Sequence, residues 1–245
     1  MSKKWETSIA EVKDEKANIR GYDLDNLIGK ISFSAMAYLI LKGEMPTPKQ
    51  AEMLDAIFVA SMEHGITPQS TATARMSASG SGSFLQALAA GILAMGEHHG
   101  GAGEQCAKVL QENQGRDAKD IVAGFLNEGK RLPGFGHKIY TDKDPRTVKL
   151  FEIAKQNKIY GKHCELAEQI ANAIEKAKGK KLPLNIDGAI AAIMSDMSFD
   201  WRYGKALFAI PRTVGLSAHI NEELKEKPYS KKIDDEETEY IGKKL

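Results

Sequence analysis

Residues 24–41 read Leu24-Asp25-Asn26-Leu27-Ile28-Gly29-Lys30-Ile31-Ser32-Phe33-Ser34-Ala35-Met36-Ala37-Tyr38-Leu39-Ile40-Leu41. Their apolar side chains recur at helical spacing on one wide face, which predicts a buried helix. The pattern stops at Gly43 and Pro46. The next helix has a written start: Thr47 can cap, Pro48 suits the first turn, and Gln50 completes a capping-box pattern. It is expected to run to about Glu63 and to end near Gly65. A polar, alanine-rich piece, Gln69 to Ala78, leads into a glycine-serine turn at 79–83. A helix rich in Ala and Gly follows, Phe84 to Met95. Small residues let helices approach closely, so this one suits a central position or a subunit contact.

Downstream the same period predicts helices at 103–113, 117–129, 145–157, 163–178, 187–198, 202–209 and 211–226. Asp144-Pro145 is a strong start signal, and Pro211 is expected to separate two helices. No alternating run is long enough for a sheet, and β-branched residues never cluster. The fold class is all-α. From Lys225 to Leu245 the chain is charged and poor in apolar residues, which suits a peripheral tail or an arm around a partner subunit.

Composition bounds the function. The 245 residues hold 34 Lys and Arg against 33 Asp and Glu, a net charge of +1. That balance argues against a general nucleic-acid binder, though not against a local cationic pocket for a phosphorylated or carboxylated small molecule. The start, MSKKWETSIAEV, has no apolar core of a secretory signal. The best apolar stretch, Ile31 to Leu41, is too short to span a bilayer. Two cysteines, Cys106 and Cys164, make no disulfide framework. A cytoplasmic protein without membrane or nucleic-acid partners is expected.

Three segments punctuated by glycine or proline interrupt the helices: Glu97-His98-His99-Gly100-Gly101-Ala102-Gly103, Leu132-Pro133-Gly134-Phe135-Gly136-His137 and Leu182-Pro183-Leu184-Asn185-Ile186-Asp187. Each sits beside an expected helix start, where free N–H groups favour an anion. His137 on its glycine turn can approach a ligand, and Arg146, nine residues on, offers a fork to a carboxylate. A surface histidine and a local ion pair explain the same spacing, and both readings stand open here. His98 and His99 make a poor metal pair, with no partner at zinc-like spacing. His64 would end a helix, where it suits the C-terminal dipole. His163 and His219 default to structural roles, and Asp187 to helix capping. Arg212, directly after Pro211, would be a cation misplaced in a first turn, which hints at a bound anion. The 79–83 run is no phosphate loop, and neither a dinucleotide fingerprint nor a nucleophile elbow is present.

Taken in order, His-Gly-Gly-Ala, then Pro-Gly-Phe-Gly-His with Asp-Pro-Arg, then Asn-Ile-Asp-Gly resemble the citrate synthase superfamily over about Ala17 to Lys231. The chain is more similar to citryl-CoA lyases, because citrate synthases usually carry a further N-terminal helical portion. Arg20-Gly21-Tyr22-Asp23-Leu24 and Gly43-Glu44-Met45-Pro46-Thr47 look like the start of the compact lyase. Glu63-His64-Gly65-Ile66-Thr67-Pro68 resembles the Asp-His-Gly segment of the lyase module of ATP-citrate lyase, with Glu63 in place of Asp. That module lacks a histidine at the position of His99, so here the chain keeps a synthase-like feature.

The resemblance implies a large helical domain, 1–102 with 187–245, and a small closing domain, 103–186. It implies cleavage of citryl-CoA to acetyl-CoA and oxaloacetate, as in the reductive tricarboxylic acid cycle. No metal and no cofactor beyond the coenzyme A of the substrate is expected. His137 would hydrogen-bond the carbinol oxygen and help remove its proton. His99 would stabilise the enolate oxygen, and Asp187 would exchange the proton at the acetyl carbon. His64, Arg146 and Arg212 would bind the oxaloacetate part. Leu132, Pro133, Gly134, Phe135, Gly136 and Lys138 would contact CoA through backbone groups, with Lys138 and Lys143 the open choices for its phosphates. A homo-oligomer, with a separate synthetase to supply citryl-CoA, is expected. The alternatives are a short citrate or 2-methylcitrate synthase, and a non-catalytic helical partner subunit of a CoA ligase.

Overall fold

The computed structural model describes residues 4–137, 139–226 and 231–243. Lys138, expected at the CoA site, lies outside the described residues. Eleven helices carry the described chain: Leu24–Leu27 (α1), Phe33–Lys42 (α2), Pro48–Ser61 (α3), Gln69–Ser81 (α4), Phe84–Leu93 (α5), Ala102–Glu112 (α6), Ala118–Asn127 (α7), Pro145–Gln156 (α8), Lys162–Lys178 (α9), Ile186–Asp196 (α10) and Gly204–Glu223 (α11). The helical class expected from the periodicity holds.

Four local expectations change. Ala10–Lys13 (β1), Lys16–Ile19 (β2) and Tyr22–Asp23 (β3) form a small antiparallel sheet in the order β1-β2-β3. Its hairpin turns on Asp14 and Glu15, both at positive φ (50° and 61°), so the usual Asn-Gly signal is absent. The single helix expected over 24–41 is two, because Gly29 turns at φ 73° and Ser32 recaps α2 by accepting the Ala35 N–H. The polar piece at 69–78 is the body of α4, which runs to Ser81 and stops at left-handed Gly82. Pro211 does not separate two helices: it lies inside the 20-residue α11. Arg212 is therefore mid-helix, and the first-turn argument for an anion beside it falls.

Other sequence signals hold. Thr47 and Gln50 make the reciprocal capping pair, with Thr47 N–H donating to Gln50 Oε1 at 2.8 Å and Gln50 N–H to Thr47 Oγ1 at 3.3 Å. Arg20 donates from Nε and Nη2 to the Ile40 carbonyl (3.1 and 2.9 Å), which satisfies an acceptor near the C-terminus of α2.

The contacts divide the chain into two compact units, drawn along other lines than the domains expected above. The first comprises Met1–Ala60 with Ala102–Leu207. Its centre is α10, where every residue from Gly188 to Ser195 is buried and which packs against α6, α8 and α9. An alanine-rich sequence suits that place, since small side chains admit neighbours on all sides. The second unit comprises Ser61–Gly101 with Phe208–Leu245. Ala74, Ala78, Ala87, Leu216 and Ile220 form its core. There Gly91 of α5 faces α4 so closely that a methyl group would lie 3.0 Å from Ala74 Cβ and from the Ser70 carbonyl. The charged C-terminal arm is tied down at Lys231, whose N–H donates to Ser79 Oγ and whose Nζ pairs with Glu223 and Glu226. Among the described residues no helix is long and apolar enough to cross a membrane.

Candidate active site

The sequence-predicted site residues fall into two clusters, one in each unit. In the first unit, the loop 132–137 forms a ribbon with 182–185. Gly136 N–H donates to the Pro183 carbonyl (2.7 Å), Asn185 N–H donates to the Gly134 carbonyl (3.0 Å), and Phe135 bridges to Leu184. Asn185 also donates from Nδ2 to the Gly136 carbonyl (2.9 Å). The Gly134 carbonyl and both the N–H and the carbonyl of Gly136 are thus engaged by the 182–185 segment.

Asn185, not Asp187, caps α10, accepting the Gly188 N–H at 3.1 Å. Asp187 stands in the first turn. Its charge acts on two neighbours: burial, and then Asp187, push the Cys106 thiol up to about 12, and Asp187 helps Asp144 hold the Arg146 guanidinium charged.

The ribbon meets the start of α10 at a glycine contact. A methyl group on Gly188 would lie 2.5 Å from the Gly134 carbonyl oxygen, and one on Gly134 would lie 2.7 Å from Cys106 Sγ. Gly188→Ala should therefore push the ribbon that carries His137 off the helix that carries Asp187. A loss of about 1–3 kcal/mol in a denaturant titration is expected from such overpacking.

His137 is oriented by backbone. Its Nδ1 accepts the N–H groups of Ile139 (3.1 Å) and Tyr140 (3.2 Å), so the ring proton belongs on Nε2. Nε2 lies 3.5 Å from Arg146 Nη2. Two donors side by side cannot satisfy one another and are set to share an oxygen. Tyr140 stacks on the imidazole at 4.6 Å, with the Arg146 guanidinium 5.8 Å from the Tyr140 ring. Arg146 is held by Asp144, which accepts from its Nε at 3.0 Å and its Nη2 at 2.8 Å. Burial alone would raise the Asp144 carboxyl, but the hydrogen bonds and charge of Arg146 hold it below the usual range.

A cavity of about 720 Å3 opens beside this cluster, lined by Leu132, Phe135, Gly136 and His137 together with Lys130, Arg131, Lys178 and Lys180. Leu132, Phe135 and Gly136 of the expected CoA loop face it. Gly134 instead packs on Cys106 and Gly188, and Pro133 is not among its lining residues. The four cations escaped the sequence reading because they come from the ends of helices distant in sequence.

In the second unit, His99 sits at the N-terminus of α4. Its Nε2 accepts the Ser70 N–H (3.3 Å) and lies 2.8 Å from Ser70 Oγ. The ring proton therefore belongs on Nδ1. Burial, and then the charge of Arg212, hold the His99 pKa below its ordinary value, so the ring is neutral with one N–H to give. Phe208 lies between the two residues: His99 meets its ring edge-on at 5.8 Å, and the Arg212 guanidinium lies 4.7 Å from its centre. Gly100, at φ 82°, lets Phe208 approach, since a methyl there would lie 2.7 Å from Phe208 Cδ1. Arg212 is buried and donates from Nε to the Ser61 carbonyl (3.0 Å) at the end of α3. His64 follows three residues later in an exposed turn whose N–H groups are bound by Glu63. His163 and His219 are paired with Asp196 and Glu63, and His98 is exposed.

Known proteins supply the comparison. The chain is 48% identical to citryl-CoA lyase from Hydrogenobacter thermophilus, covering 98% of this chain and 96% of that one, with a TM-score of 0.95. ATP citrate lyase from Methanothrix soehngenii, described with citrate and coenzyme A, shares the fold at 22% identity and a TM-score of 0.88, over 100% of this chain and 42% of that one. Citrate synthase of Heyndrickxia coagulans is 31% identical over 202 residues, 79% of this chain and 52% of its own length. The glyoxysomal citrate synthase of Cucurbita maxima is 32% identical over 189 residues, 73% and 36% of the two lengths. The chain spans about half the length of the curated relatives it matches, or less. The model of the citrate synthase C-terminal domain matches residues 46–233, a span that holds both clusters and every candidate site residue, and the chain accordingly belongs to the citrate synthase family.

Proposed function

We propose that the chain is a citryl-CoA lyase, cleaving citryl-CoA to acetyl-CoA and oxaloacetate. The observation that carries this reading is the likeness to a citryl-CoA lyase over nearly the whole of both chains. The bond that breaks joins the carbinol carbon to the carbon beside the thioester. As it breaks, the carbinol oxygen passes through an alkoxide to the ketone of oxaloacetate, and charge gathers on the enolate oxygen of acetyl-CoA.

Each developing charge has a matching donor. His137 Nε2–H and Arg146 Nη2 form a pair suited to the alkoxide, and preorganised donors of this kind are usually the largest contribution to catalysis. The hydrogen bonds on Nδ1 favour the donor half of the role expected for His137, so in this reading the carbinol proton passes to water. Neutral His99, fixed by Ser70, gives its Nδ1–H to the enolate oxygen. Asp187, ionised at rest, takes up one proton from solvent and delivers it to the acetyl carbon as general acid, which balances the carbinol proton given up to water; in the reverse direction it removes that proton as base. His64, Arg146 and Arg212 hold the carboxylates. The cavity lined by Lys130, Arg131, Lys178 and Lys180 takes the CoA phosphates, beside the open choices Lys138 and Lys143. The double variant Lys178→Glu/Lys180→Glu should raise the KM for citryl-CoA roughly tenfold at low salt and less at high salt, because exposed charge contacts are screened.

The proteins named citrate synthase among the relatives, and the retained His99, favour a second reading in which the same residues run the condensation. Incubation with citryl-CoA, and separately with acetyl-CoA plus oxaloacetate, separates the two. A lyase cleaves the first mixture to acetyl-CoA and oxaloacetate. A synthase releases free CoA and citrate from the second. Inactivity in both would sink the enzymatic reading and favour a partner subunit.

A further inference from the structure

We propose that Glu63 is a positioning residue, held by His219, that sets the His64 turn for binding the dicarboxylate half of the substrate. The proposal rests on the assignment of His64 to that half. The observations lie within the second unit. Glu63 Oε1 accepts the N–H groups of His64 (2.8 Å) and Gly65, and His219 Nε2 lies 3.1 Å from the same oxygen. One carboxylate oxygen thus fixes two consecutive peptide planes, with Gly65 at φ 80° completing the turn.

The clamp is built from both sides. A methyl group on Gly215 of α11 would strike Glu63 Oε2 and the Met62 carbonyl, so α11 must present a bare backbone where it faces this turn. His219, one helical turn further on, is itself oriented. Its Nδ1 lies 3.5 Å from Arg75 Nη1 and 3.8 Å from Glu222 Oε2. Arg75 is buried and paired with Glu222 at 2.6 Å and Glu223 at 2.7 Å. A guanidinium can only donate, so it directs the lone pair of His219 to Nδ1 and the proton to Nε2, toward Glu63. Burial alone would raise the Glu63 carboxyl. The hydrogen bonds from His219, Gly65 and His64, with the influence of His219, hold it below its usual value. A salt bridge for stability alone needs no contact with the N–H groups flanking a candidate ligand, and the backbone bonds of Glu63 have that purpose here.

The test reads the inhibition of citryl-CoA cleavage by oxaloacetate and, separately, by CoA. Glu63→Ala should weaken oxaloacetate about tenfold while leaving CoA within twofold. Glu63→Gln keeps an acceptor oxygen in place and should restore oxaloacetate to within about threefold of the parent. His219→Ala should weaken oxaloacetate in the same direction, and the double variant should be no worse than Glu63→Ala, since contacts in one network are not additive. His64→Ala is the control. If it weakens oxaloacetate and Glu63→Ala does not, or if Glu63→Ala weakens both inhibitors equally, the positioning role is overturned. If His64→Ala itself changes nothing, the assignment of His64 is wrong and the proposal falls with it. Failure of the parent protein to cleave citryl-CoA would instead remove the functional reading.

Discussion

Asp187→Ala is expected to lower the rate of citryl-CoA cleavage by about 10²–10⁴-fold, the usual worth of a positioned acid, while the helical circular dichroism stays unchanged. Both halves of this expectation come from the start of α10. Asn185 supplies the helix cap, so removal of the Asp187 carboxylate leaves the cap in place. The unbroken buried run from Gly188 to Ser195 holds the helix whatever stands at 187. What folding loses is a favourable first-turn anion, worth about 0.3–1 kcal/mol. In the proposed mechanism cleavage loses the group assigned to protonate the departing acetyl carbon, and the neighbouring Cys106, buried with its thiol pushed up to about 12, is no substitute. Undiminished turnover by the variant in a stopped assay of acetyl-CoA formation would remove Asp187 from the mechanism.

Much of this arrangement was legible in the chain, and the illegible part has a common cause. Periodicity and caps are local, so Thr47, Pro145 and the amphipathic runs located most helices. The three segments punctuated by glycine or proline hold the candidates His99, His137 and Asp187. The ribbon between 132–137 and 182–185 is not local: its two segments lie some fifty positions apart, and only the bare backbones of Gly134 and Gly188 hint at the contact. The same holds for His99, whose tautomer depends on Ser70, and for His219, whose orientation depends on Arg75 and Glu63. Pro211 misled for the opposite reason. A proline inside a helix costs about 3 kcal/mol or more, which sets a strong local expectation, yet α11 carries buried Leu207, Leu216 and Ile220 on either side of it, and that packing keeps the helix continuous. The hairpin at 10–19 was invisible because its strands have four residues each, mostly exposed, with no glycine at its turn.

Asp144→Ala should destabilise the protein and disable it together. The Asp144 side chain is fully buried, with 0% exposure, and four donors converge on it. Oδ1 accepts from the Arg146 N–H and Nε, and Oδ2 accepts from Arg146 Nη2 and from the Ile186 N–H at 3.2 Å. One carboxylate therefore caps α8, orients the guanidinium beside His137 and pins the start of α10 two atoms of chain from Asp187. Breaking a buried pair by removing one partner costs about 3–5 kcal/mol, and Arg146, a quarter exposed, can recover part of that from water. A loss of about 3 kcal/mol is expected, or roughly 6–12 °C in Tm for a domain of this size. Activity should fall by about 10²-fold or more, because misplacing a substrate-positioning group by about 1 Å has that effect. The pH dependence distinguishes the carboxylate from simple packing. The folded pKa lies below the unfolded value of about 3.9, so the ionised group stabilises the fold at every pH above that value. The contribution disappears as pH falls from there through the lowered folded pKa. The stability gap between the parent and Asp144→Asn, followed by urea midpoints, should be constant from pH 7 to 5 and close below about pH 4. A gap that persists undiminished in acid would mean that Asp144 acts through its shape and not its charge, and Arg146 would then be held by something other than this ion pair.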